Sequence, residues 1–196
     1  TGIENFNQKT LDSLGKNETI DEIVDVVKSL RKMNKFTVGY YMIGFPDETV
    51  ESIKKDIKKV ADLKLDITQL CVITPLPGTK QWEDIDKNYG IFDKDWHHYN
   101  AKHLVWNHPN IKPYEIRKIL MRSFKTVYPA KRIFETSLGF ITRYMQYKGF
   151  SGGLKYLLSH TIHANTFDYY PKAKRFLSNN STNLEDKREC LKEDKL

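Results

Sequence analysis

The chain has 196 residues, 39% of them hydrophobic and 29% charged, with a net charge of +7, which is enough for one domain with a real core or a domain plus an appendage. Its two cysteines, Cys71 and Cys190, exclude a disulfide scaffold and lead us to expect a reducing, cytoplasmic setting. No apolar run approaches the ~20 residues that a membrane-spanning helix needs.

Taken in order, Gly2-Ile3-Glu4-Asn5 reads as the end of a strand. The chain opens on Thr1, almost on this motif, so the expectation is that it is the later part of a longer protein. Asn7 to Leu14 suits a short helix, ended by Gly15. Thr19 and Glu22 stand in capping-box spacing before a longer helix. Its apolar stripe is Ile20, Ile23, Val24, Val27 and Leu30. The run from Phe36 to Ile43 is nearly continuous in apolar and aromatic residues and predicts a strand covered on both faces. At Gly44 the chain leaves that strand, where a missing side chain lets backbone approach a ligand closely. It then turns through Phe45-Pro46-Asp47 into a helix capped by Thr49, with Val50, Ile53, Ile57, Val60 and Ala61 buried. Ile67 to Ile73 is a further strand, stopped by Thr74-Pro75-Leu76-Pro77-Gly78-Thr79. A strand-helix-strand unit of this length predicts a parallel pair joined by a right-handed crossover. Three strand ends then share one rim, where ligands of parallel α/β folds bind.

Asp95 to His108 holds four of the six histidines. Their spacing of five does not match the i, i+4 pairing of a helical zinc site. The segment reads as an ordered loop closing over the rim, with Trp96, Tyr99 and Trp106 as packing anchors. From Pro113 helical periodicity resumes through Ile116, Ile119, Leu120, Phe124 and Val127, and Tyr128-Pro129 breaks it. Another helix runs through Ile133, Phe134, Leu138, Ile141, Tyr144 and Met145 and ends before Gly149. A short apolar piece around Leu154 to Leu158 follows, then Tyr169-Tyr170-Pro171 and Arg175-Phe176-Leu177.

Charge divides the chain. Residues 1–111 carry 15 Lys/Arg against 17 Asp/Glu, residues 112–178 carry 13 against 3, and residues 179–196 carry 4 against 5. We therefore expect an α/β part over 1–111, a basic helical part over 112–178 and a disordered tail over 179–196. A solvated basic face, an anionic membrane surface and, in third place, tRNA are the alternatives for the basic part.

The three rim motifs carry a resemblance. Gly2-Ile3-Glu4-Asn5, Met42-Ile43-Gly44-Phe45-Pro46-Asp47-Glu48-Thr49 and Thr74-Pro75-Leu76-Pro77-Gly78-Thr79 resemble the second half of a radical S-adenosylmethionine (SAM) enzyme. The similar group is the cobalamin-dependent class, with its anaerobic porphyrin cyclases, hopanoid methylases and other methyltransferases. The resemblance covers about residues 1–111. It implies an α/β fold, the second half of a partial (β/α)6 TIM-like barrel with parallel strands, followed here by the basic α-helical part. It further implies that Glu4 and Asn5 meet the ribose or amino acid part of SAM. Met42, Ile43 and Gly44, together with Ile73, Thr74 and Pro75, would lie against the adenine. Tyr99 and His103 would face a small-molecule substrate. The implied cofactors are SAM, a [4Fe–4S] cluster and cobalamin. The Cys-x3-Cys-x2-Cys triplet that binds such a cluster does not occur in this sequence, so its ligands and the cobalamin domain are expected elsewhere in an intact enzyme, and this chain alone is expected to be inactive. The competing reading is a non-catalytic basic helical binding module, for a membrane surface or RNA, on an incomplete barrel.

Overall fold

The computed structural model describes residues 2–160. Three strands, β1 (Gly2–Glu4), β2 (Val38–Ile43) and β3 (Ile67–Val72), form one parallel sheet in the order β1-β2-β3. The helices are α1 (Gln8–Ser13), α2 (Ile20–Lys32), α3 (Val50–Asp62), α4 (Lys80–Tyr89), α5 (Pro113–Val127) and α6 (Ala130–His160). The predicted α/β architecture is therefore present, with α3 as the crossover between the paired β2 and β3.

Local chemistry explains the starts of these elements. At α2, the Thr19 hydroxyl accepts from Glu22 N–H at 3.2 Å while the Glu22 carboxylate accepts from Thr19 N–H at 2.7 Å. At α3, Thr49 and Ser52 exchange the same pair of bonds. Each reciprocal pair satisfies two donors that a helix start otherwise leaves without partners.

The two faces of the sheet differ. Ile3, Tyr41, Ile43, Leu70 and Val72 are buried in a single core with Ile23 and Val27 of α2, Ile53, Ile57 and Val60 of α3, and Ile116 and Leu120 of α5. The alternate residues, Gly2, Glu4, Tyr40, Met42, Gln69 and Cys71, are half-buried or exposed, and Tyr40 keeps 51% of its surface. Coverage of β2 on both faces is thus corrected to coverage on one among the described residues. An apolar run reports what a strand can bury, and here period-two alternation decides what it does bury.

The amino ends of the strands are latched. Thr37 N–H and Oγ1 both donate to Asp66 Oδ2, at 2.8 and 2.9 Å, and Asp66 N–H returns a bond to Thr37 Oγ1. The Tyr128 hydroxyl, just past α5, accepts from Thr68 N–H and donates to Thr68 carbonyl oxygen on the outer edge of β3.

The first compact unit ends at Pro129 and the second begins at Ala130. The charge step at Pro113 coincides with the first residue of α5, which buries Ile116, Ile119, Leu120, Phe124 and Val127 and lies against α3 and β3 within the first unit. In the second unit α6 is interrupted at Gly149, whose φ of 74° lies in the left-handed region, where the predicted helix ends. The piece from Leu154 to Leu158 continues in α6. The motifs at 169–171 and 175–177 and the tail 179–196 lie outside the described residues. No described helix is long and apolar enough to cross a membrane.

Candidate functional site

Parallel pairing of β1, β2 and β3 puts the Glu4-Asn5, Gly44-Phe45 and Ile73-Thr74 ends on one rim. Ile73 N–H donates to the Ile43 carbonyl at 2.9 Å, extending the ladder to the point where both strands turn away. At β1 the turn is tight: Glu4 has φ 60° and Asn5 N–H donates to the Ile3 carbonyl at 2.8 Å.

The rim is held by a carboxyl group that the sequence reading did not single out. Glu48 is 3% exposed. Its Oε2 accepts from Gly44 N–H at 2.5 Å and Phe45 N–H at 2.8 Å, and its Oε1 accepts from Asn5 Nδ2 at 2.9 Å. These backbone donors have left the strand ladder and need an acceptor inside the protein. That need was the available signal, since a carboxylate four residues beyond the turning glycine can fold back onto it. Burial pushes the Glu48 carboxyl up to about 7, against the three donors that pull it down.

Residues 108–110 brace the same corner. His108 Nε2 lies 2.7 Å from the Phe45 carbonyl, while its Nδ1 accepts from Asn110 and Ile111 N–H at 3.0 and 3.1 Å. Two donors at Nδ1 leave the proton on Nε2, which donates to Phe45. Asn110 Nδ2 donates to the Pro46 and Glu48 carbonyls. One corner thus gathers bonds from β1, the turn after β2, and a loop more than sixty residues later.

The sequence-predicted residues take distinct places around it. Asn5 is fully buried: its amide donates to Glu48 and the Met42 carbonyl, and its Oδ1 accepts from Asn7 N–H. Gly44 has φ +89°, and a Cβ there would meet Ile116, Ile73 and Val72 at 3.5–3.7 Å. The backbone conformation is what demands glycine at this position. Ile43, Ile73 and Pro75 are buried; the Thr74 hydroxyl donates to the Val72 carbonyl at 3.1 Å. Glu4 and Met42 sit on neighbouring strands of the open face, with Glu4 3.5 Å from Lys16 Nζ. The groups that remain accessible there include the Glu4 carboxylate, the Met42 thioether and the ring of Tyr40, with the Gln69 carboxamide and the Cys71 thiol on β3 beyond them.

Tyr99 and His103 belong to a loop closed at its base by Asn107 N–H donating to the Gly90 carbonyl and by the Ile91–Trp106 bridge. Ala101 carbonyl accepts from Val72 N–H at 2.8 Å, placing the loop beside the carboxyl end of β3. Tyr99 donates its hydroxyl to the Asp93 carbonyl at 2.6 Å and lies between Trp82 and Trp96. His98 and His103 are buried with ring centroids 4.9 Å apart; His98 Nδ1 lies 2.7 Å from Asp93 Oδ2 and His103 Nδ1 2.9 Å from Asn100 Oδ1. Burial, then the charges of His98 and Arg117, hold His103 down to about 4. Trp106 is a fully buried anchor, but Trp96 is 65% exposed, which corrects its expected packing role. Among the described residues no group of three or more His, Cys, Asp and Glu is placed to hold a metal ion.

No family model matches the chain. An uncharacterised methyltransferase of Pyrococcus horikoshii is 32% identical over 127 residues, covering 65% of this chain and 28% of that protein. Bacteriochlorophyllide d C-8(2)-methyltransferase of Chlorobaculum tepidum is 25% identical over 134 residues, 67% of this chain and 30% of that protein. The anaerobic magnesium-protoporphyrin IX monomethyl ester cyclase of Cereibacter sphaeroides is 24% identical over 147 residues, 74% and 24% respectively. A porphyrin cyclase and methyltransferases are the kinds of enzyme that the rim motifs resemble. The chain is related to the radical SAM enzymes. It spans less than a third of the length of these three relatives.

Relationship to radical SAM enzymes implies S-adenosylmethionine and a [4Fe–4S] cluster. This chain's residues do not fit the cluster: Cys71 lies within β3, Cys190 is the one other cysteine, and three thiolates are needed. They do fit an adenosyl group, because half-buried Met42 and exposed Tyr40 offer apolar surface on the open face and Glu4 offers an acceptor at its rim.

Proposed function

We propose that β1, β2 and β3 are the fourth, fifth and sixth strands of a partial (β/α)6 barrel in a radical SAM enzyme. In this reading SAM is held at their carboxyl rim. The supporting observation is the shared rim itself, with Glu48 joining the end of β1 to the turn after β2. Glu4 and Met42 would touch the bound molecule on the open face. Ile43, Gly44, Ile73, Thr74 and Pro75 would supply the backbone contour beside the adenine. Asn5, engaged by Glu48, would fix that contour from beneath. The bound SAM supplies radical chemistry when a cluster reduces it, and this chain's share is to orient the cofactor and exclude competing reactions.

The intact protein, with cluster ligands and any cobalamin domain outside this chain, would methylate or cyclise a porphyrin-like or lipid-like substrate. The porphyrin-type substrates in the names of two relatives support that class. Tyr99 and His103 lie in the loop that would approach the substrate, and exposed Trp96 beside Tyr99 joins them as a stacking surface.

Two measurements test this reading. After anaerobic reconstitution, iron and sulfide analysis of this chain is expected to find no stoichiometric cluster, and finding one would overturn the fragment reading. In the intact enzyme, Met42→Asp is expected to abolish formation of 5′-deoxyadenosine from SAM; an unchanged rate would remove the rim from the cofactor site.

A further inference from the structure

Between Ala130 and Gly149, α6 is amphipathic in an unusual sense. At about 100° per residue, Phe134, Leu138, Ile141 and Met145 form one narrow stripe, and Ile133, Phe140, Tyr144 and Tyr147 form a second beside it. Together the stripes cover roughly half the cylinder. The other half carries Lys131, Arg132, Glu135, Thr136, Thr142, Arg143 and Gln146. In a helix packed on a core the apolar half is buried. Here Phe134 is 68%, Leu138 50% and Tyr147 78% exposed and Ile133, Phe140, Ile141 and Met145 are half-buried, whereas the Arg132 side chain on the polar half retains only 14%.

We propose that this apolar half of α6 seats the protein on the surface of an anionic lipid bilayer. The inference is independent of the cofactor reading above. Charge supports it: residues 130–151 contain Lys131, Arg132, Arg143 and Lys148 against Glu135 alone. By the same angular step Lys148 and Ser137 fall between the two stripes, within the apolar half. Lys148 Nζ lies 4.6 Å from the Tyr147 ring centroid and the Arg143 guanidinium, at the margin, 5.9 Å from that of Phe140, so long cationic side chains reach headgroup phosphates from within and beside the apolar half. With no described helix able to cross a membrane, the helix lies in the interface. A second copy of the chain is the poorer occupant, because self-pairing through this half would bury Lys148 in an apolar seam, whereas at a bilayer surface its ammonium reaches the headgroups. RNA would use the cations but gives aliphatic Leu138, Ile141 and Met145 nothing to stack on.

The test is sedimentation of the full chain with sucrose-loaded vesicles of phosphatidylcholine, alone or with one third phosphatidylglycerol, at physiological salt. The chain is expected to pellet with the anionic vesicles and to remain largely in solution with the neutral ones. Replacing Phe134→Ser with Leu138→Ser should weaken anionic-vesicle binding by about tenfold or more. Reversing Lys131→Glu with Lys148→Glu should do so by about tenfold without removing any apolar side chain. All four side chains are surface residues, and far-UV circular dichroism verifies that helix content is unchanged. Absence of pelleting, or binding unchanged in both double variants, would overturn the proposal. So would a dimer dispersed by the apolar variant, or a tRNA mobility shift at physiological salt without vesicle pelleting.

Discussion

The two ends of the sheet are both tied by buried side chains, but in different ways. At the amino end, Thr37 with Asp66 and Tyr128 with Thr68 form closed pairs in which each donor meets one nearby acceptor. At the carboxyl end, one carboxyl group accepts from three donors on two segments, and His108 and Asn110 brace the same turn from a distant loop. The amino end resembles a set of independent latches, whereas the carboxyl end works as a shared joint whose geometry depends on a single titratable group. Removing one latch leaves the others in place. Removing the joint releases backbone from β1 and β2 together, at the rim where the cofactor is proposed to sit.

The largest expected consequence follows from Glu48→Ala, which would leave the Gly44 and Phe45 amides and the Asn5 carboxamide buried without their acceptor. At roughly 1–3 kcal/mol per buried group left unsatisfied, and with some relaxation, we expect a loss of about 4 kcal/mol in urea denaturation. A loss under about 1 kcal/mol would show that water or another group replaces the carboxylate without cost.

Next in size is a pair of opposed pH dependences. Glu48, raised to about 7 in the fold from 4.5, favours the folded state fully below about pH 4.5 and loses that contribution as pH rises through 7. His103, lowered to about 4 from 6.5, contributes stability above about pH 6.5 that is lost as pH falls through 4. In the protein as it stands the two slopes offset each other. Glu48→Gln is expected to leave stability rising with pH between about 4 and 6.5, and His103→Phe to leave it falling between about 4.5 and 7, each by up to about 3 kcal/mol. The His103 environment also includes His98, Arg117, Asp93 and Lys102, so the histidine variant is read by the sign of its slope. Identical profiles in the two variants would refute the assignment.

The smallest expected effect is at the amino end. Tyr128→Phe removes both bonds to Thr68 but leaves that backbone at a sheet edge, costing about 1 kcal/mol with no change at the rim. A loss matching that of Glu48→Ala would erase the distinction between latch and joint.

Much of this arrangement was legible in residue order. Thr19 with Glu22 and Thr49 announced the starts of α2 and α3, and Gly149 announced the break in α6. The parallel pairing of β2 and β3 followed from the crossover length. Helix α4 was missed because its residues are mostly charged or polar and only Ile85 is buried; the usable signals were Thr79 as cap and Gly90 as stop. Glu48 was missed for the opposite reason: a charged side chain beside a helix cap is normally solvated, and its burial depends on donors that are neighbours only after β1 and β2 pair. The closure of residues 90–107 likewise depends on contacts at its base, which no local periodicity records.

The flanks of the sheet carry a final consequence. Beyond β3, Thr68 and Val72 already give their outward N–H groups to Tyr128 and Ala101. Beyond β1, no strand is present among the described residues. Two positions on the outer edge of β3 are thus already occupied, while β1 is the margin with no neighbouring element hydrogen-bonded as a strand among the described residues. An additional strand supplied at that margin would widen the open face that carries Glu4, Tyr40 and Met42.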